Sequence, residues 1–131
     1  DEKGIDIETH IATSLPSVKG DGAALSQAVQ NLIINSIKYC NGERWIRVGA
    51  ENGGGNVKIE VEDRGIGISP SDLRQVFEPF YRSKSVVDAQ IHGNGLGLSL
   101  VKQIAEAHGG RAFASSEIGK GSLFTIELPA L

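Results

Sequence analysis

The sequence predicts an α/β protein of two layers, in which a mixed, mostly antiparallel sheet packs against about three helices. Three observations predict it. Strand-like segments come in pairs, one at residues 45–63 and one at 111–131, each joined by a glycine-bearing turn, and such pairs are antiparallel hairpins. Two longer segments, near 21–40 and 97–110, carry apolar residues at helical spacing. Helical crossovers are too few for a doubly wound parallel sheet.

Taken in order, "GIDIETHIA" alternates Ile5, Ile7 and Ile11, with Thr9 less cleanly in the same register, and reads as a strand. "SLPSVKGD" is a loop, and Asp21 at its end can cap a helix running to about Cys40. At about 100° per residue, Leu25, Ala28, Val29, Leu32, Ile33 and Ser36 share one broad face, which should pack on the sheet. "WIRVGA" and "NVKIEVED" are strands joined by the turn "ENGGGN". "SPSDLRQVF" opens as a short helix, with Ser69 as cap and Pro70 at the first position. "GLSLVKQIAEAHGG" is an amphipathic helix stopped by Gly109 and Gly110. "RAFASSE" and "SLFTIELPAL" are the last two strands, with Gly119 and Gly121 between them.

Composition bounds the function. A chain of 131 residues with 40% hydrophobic and 22% charged content suits one soluble domain. The net charge of −3 supplies no basic field for nucleic acid or an anionic membrane, so an anionic ligand must be held by a local site. No apolar run approaches the roughly 20 residues that cross a bilayer, and no signal peptide is visible. Cys40 is alone, which fits a reducing compartment. With no Met, even at the start, the sequence is expected to be a piece of a longer chain, and residues 1–131 to be a single domain of it.

Three stretches carry chemistry. In "QNLIINSIKYC", Asn31, Asn35 and Lys38 fall within roughly 60° of one another on the flank of the apolar face. Asn is a poor helix former, so two in mid-helix ask for a reason. An amide oxygen is a good ligand for Mg²⁺, and an ammonium can meet a phosphate. A solvated helix flank is the plainer alternative. In "VEDRGIGIS", Asp63 ends a strand before Gly65 and Gly67, where a carboxylate can accept from an exocyclic amine and glycines let backbone approach a flat ring. A strand-to-loop turn with a capping Asp reads equally well. In "HGNGLGLSLVKQI", Gly93, Gly95 and Gly97 precede a helix whose N-terminus can hold an anion, although a flexible loop has the same composition. The spacing is neither a dinucleotide fingerprint nor a Walker loop.

These stretches, with "FEPFYR" (77–82) and "GKGSLF" (119–124), occur in one order. In that order the sequence resembles the ATP-binding catalytic domain of bacterial sensor histidine kinases, in the superfamily that includes gyrase, Hsp90 and MutL, over nearly its whole length. The resemblance implies the Bergerat ATP-binding fold with a flexible lid, and ATP and Mg²⁺ as cofactors. It makes Asn35 the Mg²⁺ ligand with Asn31 assisting, and Lys38 a phosphate contact. Tyr39 lines the pocket, and Asp63 accepts from the adenine amine over a floor of Gly65, Gly67 and Ile68. Residues 81–92 form the lid, anchored by Phe77 and Phe80, with Arg82 and Lys84 as candidates for reaching the γ-phosphate. Gly93, Asn94, Gly95, Leu96, Gly97 and Leu98 wrap the phosphates. Ser122 stands near the adenine end, where a plain hairpin turn is nearly as good a reading. Ser36 replaces the family's usual Ala, taken as a harmless change, and Cys40 replaces a common Ser or Thr.

Where the gyrase and Hsp90 branches carry a water-activating Glu, this sequence has Asn31, and an amide takes no proton from water. The resemblance therefore implies a domain that keeps ATP intact and donates its γ-phosphate to a histidine on a separate dimerisation domain, with a response regulator downstream. None of His10, His92 and His108 lies in a phosphoacceptor-like segment. His108 suits the dipole at a helix C-terminus. The alternative is a module that holds ATP without transferring phosphate. The expected location is cytoplasmic, with no nucleic acid and no membrane contact by this piece, whatever anchors the parent.

Overall fold

The structure, a computed structural model, describes residues 6–12, 15, 17–39, 44–78 and 97–131. Among the described residues five strands form one sheet: β1 (Asp6–Ile11), β2 (Trp45–Asn52), β3 (Asn56–Asp63), β4 (Arg111–Glu117) and β5 (Gly121–Pro129). Their order is β1-β2-β3-β5-β4. Only β1 and β2 run parallel; the other pairs are antiparallel, so the sheet is mixed and mostly antiparallel as expected. Among the described residues there are three helices: α1 (Gly22–Tyr39), α2 (Pro70–Leu73) and α3 (Gly97–Ala107).

The two-residue period of the strands separates the faces. Ile46 pairs with Asp63, Val61 with Phe124, Ile59 with Ile126 and Val57 with Leu128, so these side chains share one face. That face meets Ala28 and Leu32 of α1 and Val101, Ile104 and Ala105 of α3 to form the core. Fully burying an aliphatic side chain such as Leu32 contributes about 1.5–3 kcal/mol. The opposite face is a ladder of ion pairs, with Arg47 on Glu62 (2.8 Å) and Glu60 (3.3 Å), and Arg111 on Glu127 (3.0 Å). By that alternation Asp63 stands in the apolar row, which is why a carboxylate ends up buried beneath the helices.

The helix ends follow their local chemistry. Asp21 accepts from the backbone N–H of Ala23 (3.0 Å) and Ala24 (3.2 Å) and so caps α1. Ser69 caps α2 by accepting from Asp72 N–H (3.2 Å), with Pro70 at the first helical position. At the end of α3, Gly109 turns left-handed at φ 76°, and Gly110 N–H reaches back to Ala105 C=O (2.9 Å) while Gly109 N–H reaches Glu106 C=O (3.0 Å). That pair of bonds is a Schellman motif, which a side chain at Gly109 would strain.

Two expectations about the elements change. Val29, expected on the sheet-facing side of α1, is half-buried and outside the core, whereas Ala24 and Ile37 pack against it. β1 forms as a strand as predicted, yet all six of its residues are exposed, Ile7 and Ile11 at 45% and 57%, and no described helix covers this edge strand.

His108 also departs from its expected role. Its Nδ1 lies 2.8 Å from Ile104 C=O and its Nε2 accepts from Asp21 N–H at 2.9 Å. A carbonyl can only accept and an amide N–H only donate, so Nδ1 carries the hydrogen and Nε2 does not. The ring is therefore a neutral clasp between the end of α3 and the start of α1, and no cation on the helix dipole. His108→Ala is expected to cost about 0.5–1.5 kcal/mol by removing hydrogen bonds whose backbone groups can turn to water. Urea unfolding measures this, and an unchanged midpoint would mean that the clasp contributes nothing.

Candidate functional site

Two elements position the site: the flank of α1 that faces α3, and the turn that leaves β3. Asp63 ends β3, is 4% exposed, and has both carboxylate oxygens engaged. Oδ1 accepts from Gly65 N–H at 2.9 Å, and Oδ2 accepts from the hydroxyl of Ser36, itself fully buried on α1, at 3.2 Å. Burial pushes the Asp63 carboxyl above the ordinary carboxylate range. Hydrogen bonds from Gly65 N–H, the Ser36 hydroxyl and Ser122 N–H hold it back, and the nearby Glu62 charge adds to the rise.

The turn after Asp63 is fastened on both sides. Ile66 N–H bonds to Tyr39 C=O at the end of α1 (3.2 Å), and Gly119 N–H bonds to Ile66 C=O (2.9 Å). At Gly65 a Cβ would stand 2.2 Å from the Tyr39 carbonyl oxygen; at Gly67, where φ is 76°, it would stand 2.3 Å from that of Glu117. The two glycines are thus required by close backbone approach, independently of any ligand. Ile68 N–H donates to Ser116 Oγ (2.8 Å), which lies 2.8 Å from Ser122 Oγ. The β4–β5 hairpin is therefore both a turn and the support of the Asp63 loop.

On α1, Asn31 joins the helices. Its Nδ2 lies 3.5 Å from Gly97 C=O, and its Oδ1 accepts from Gln27 Nε2 at 3.0 Å. Asn35 is half-buried, and its Nδ2 is a buried atom with no hydrogen-bond partner among the described residues. A buried amide left unpaired costs about 1–3 kcal/mol, so its retention asks for a ligand. The oxygen and nitrogen of an amide exchange by a flip, so the unpaired position can present a hard oxygen of the kind Mg²⁺ takes. Lys38 is exposed on the last turn of α1, and Tyr39 is half-buried beside it.

The structure thus gathers Asn31, Asn35 and Gly97 on one side and Asp63, Gly65, Gly67, Ile68 and Ser122 on the other, with Lys38 and Tyr39 at the end of α1. Gly97 is the first residue of α3, where the predicted helix begins, and Leu98 packs against the core. Phe77 meets Phe124 edge to face, with ring centroids 6.1 Å apart. Phe80, Arg82, Lys84, Gly93, Asn94, Gly95 and Leu96, with Cys40 and His92, lie outside the described residues. Two residues join the site that the sequence did not single out. Ser116 gave no signal, being one polar residue in an alternating strand. Ser36 did, because a hydroxyl in an otherwise apolar helix stripe needs a partner, and that partner is Asp63.

A family model described as histidine kinase-, DNA gyrase B-, and HSP90-like ATPase matches residues 20–131. The sensor-like histidine kinase SenX3 of Mycobacterium tuberculosis is 39% identical over 131 residues, covering all of this chain and 32% of that protein. Full-length ShkA in complex with AMPPNP superposes with a TM-score of 0.82 at 31% identity, over 98% of this chain and 26% of that one. The nucleotide-free catalytic domain of the histidine kinase ThkA superposes with a TM-score of 0.82 at 25% identity, over 98% of this chain and 82% of that one. The chain spans about a third of the length of the SenX3 proteins it matches.

Proposed function

The chain belongs to the histidine kinase-, DNA gyrase B-, and HSP90-like ATPase family, on its histidine-kinase side, and from that premise we propose that residues 1–131 form one ATP-binding catalytic domain that donates the γ-phosphate of Mg-ATP to a histidine on a separate dimerisation domain. The phosphate then passes to a response regulator. Because ATP is the donor, the domain works on the cytoplasmic side of whatever anchors its parent. Among the described residues no helix is long and apolar enough to cross a membrane.

The observation that carries this reading is the paired Asp63 carboxylate at the end of β3 and, on α1, the Asn35 amide left unpaired among the described residues, the last residue of that helix bonding the turn after Asp63. Asp63 reads the exocyclic amine of adenine, with Gly65, Gly67, Ile68 and Ser122 shaping the floor and Tyr39 the wall. Asn35 would hold Mg²⁺, with Asn31 beside it, and the chemistry the metal would supply is neutralisation of phosphate charge. Asn31, bridging to Gly97, sets the start of α3 against α1, so the freed N–H groups of that helix lie near the phosphates. Lys38, Arg82 and Lys84 are the cations assigned to the phosphates. Asn31 supplies no base for water, so the transfer rests on positioning and charge neutralisation.

Calorimetric titration with a non-hydrolysable ATP analogue, with and without Mg²⁺, tests the reading. The intact chain should bind more tightly with Mg²⁺. Asn35→Ala should remove that gain, a loss of about 10–100-fold. An Mg²⁺ gain that survives Asn35→Ala would take the metal away from Asn35.

A further inference from the structure

We infer that Ser36 is a positioning residue for base selection: its hydroxyl locks the Asp63 carboxylate so that the site takes a 6-amino purine and rejects a 6-oxo purine. The inference rests on Asp63 being the carboxylate that reads the base.

A carboxylate turns about its Cβ–Cγ bond unless both oxygens are held. Gly65 N–H fixes Oδ1 at 2.9 Å. That bond and the one from Ser122 N–H both come from backbone on the sheet side and leave the carboxylate unrestrained from the side of α1. The remaining restraint comes from a different element, the Ser36 hydroxyl of α1 on Oδ2 at 3.2 Å. Ser36 is fully buried and Asp63 nearly so, so no bulk water competes for either group. A hydroxyl facing an ionised carboxylate must donate, which leaves the remaining lone pairs of Asp63 as acceptors only. An acceptor held at a fixed angle suits the N–H of a 6-amino group. It meets the lone pairs of a 6-oxo group with repulsion that neither side can relieve by rotating. A site built around a buried polar group discriminates strongly against the partner that leaves it unpaired.

Other charges near Asp63 do not supply this restraint. Glu62, its neighbour on β3, is of like sign. The Arg64 guanidinium lies over the Trp45 ring, 3.9 Å from its centroid, and Lys38 on α1 is exposed. Ser122 is the residue paired with Asp63 on β5 and reaches the carboxylate through its backbone, which no side-chain change there removes. Ser36 is thus the one side chain among these that donates to the Asp63 carboxylate.

The test compares non-hydrolysable adenosine and inosine triphosphate analogues, bound to the 131-residue chain, to Ser36→Ala, to Ser36→Cys and to Asp63→Asn. The two bases differ in the group at position 6 and in the hydrogen that the 6-oxo base carries at N1. Ser36→Ala should weaken the adenosine analogue by about tenfold and the inosine analogue much less, so the selectivity ratio narrows. Ser36→Cys keeps the volume but replaces the hydroxyl by a weak donor, and it should follow Ser36→Ala. Selectivity preserved in both variants, or restored by Cys, would assign Ser36 a packing role and overturn the inference. Asp63→Asn separates the two levels. If it leaves adenosine binding unchanged, the reading of Asp63 itself fails. If it abolishes binding while the Ser36 variants stay selective, only the inference about Ser36 fails.

Discussion

Asp63→Asn is expected to weaken binding of an ATP analogue by about 100-fold or more while raising the stability of the empty domain. The two effects have one cause. Asp63 is buried, and its carboxyl is pushed above the ordinary carboxylate range chiefly by that burial. The folded chain therefore holds the proton more tightly than the unfolded chain does. The stabilisation this gives is full below the ordinary carboxylate range and is lost as pH rises through the raised folded value. At neutral pH the native state carries a buried negative charge that is only partly compensated by Gly65, Ser36 and Ser122. An amide at this position keeps an acceptor for Gly65 N–H and lets Ser36 accept from its nitrogen. It carries no charge, and a gain of roughly 1 kcal/mol would raise the melting temperature by about 4 °C in a domain of this size. It also turns one oxygen that faces the base into a donor, which opposes the adenine amine. Melting curves at neutral and mildly acidic pH, beside calorimetry, measure both effects. The gain should be larger at neutral pH. A destabilised Asp63→Asn would mean that the carboxylate serves the fold more than the ligand.

Phe124→Ala should be the most damaging single truncation in the core, at about 3–5 kcal/mol, against a total stability of about 5–15 kcal/mol for ordinary domains. Phe124 is 1% exposed on β5, beside Val61 of β3 and Ala114 of β4. Its ring meets Phe77 at an interplanar angle of 77°, which ties the segment after α2 to the middle of the sheet. Removing the ring leaves a cavity under three elements and releases Phe77 from its edge-to-face contact. Urea unfolding should show a large fall in midpoint. A loss below about 1 kcal/mol would mean that the neighbours collapse into the space, and that Phe77 is held by other contacts.

The strands, the two long helices and their stops were legible because each obeys a local rule. Asp21 and Ser69 are caps, Gly109 and Gly110 end a helix, and the alternation in 56–63 and 121–129 marks strands. The order of the chemical stretches identified the family, and the candidates Asn31, Asn35, Lys38 and Asp63 came with it. Local rules also misled where burial depends on what lies opposite. Ile7 and Ile11 alternate as if packed, yet no described helix covers them, and Val29 shares the helical phase of the core without joining it. His108 looked like a cation at a helix end because the sequence shows only α3. Its second partner, Asp21 N–H, is 87 residues away in the chain.

The sequence by itself determined the element types, the two-layer class and the set of chemical groups, because periodicity, capping and residue chemistry act within a few positions of the chain. Tertiary structure alone decided how those groups are charged and held. Only the folded sheet places Asp63 in an apolar row, and only the seat of α1 on that sheet brings the Ser36 hydroxyl 3.2 Å from its carboxylate. Burial and long-range hydrogen bonding depend on distances in space, and those are fixed when the layers close.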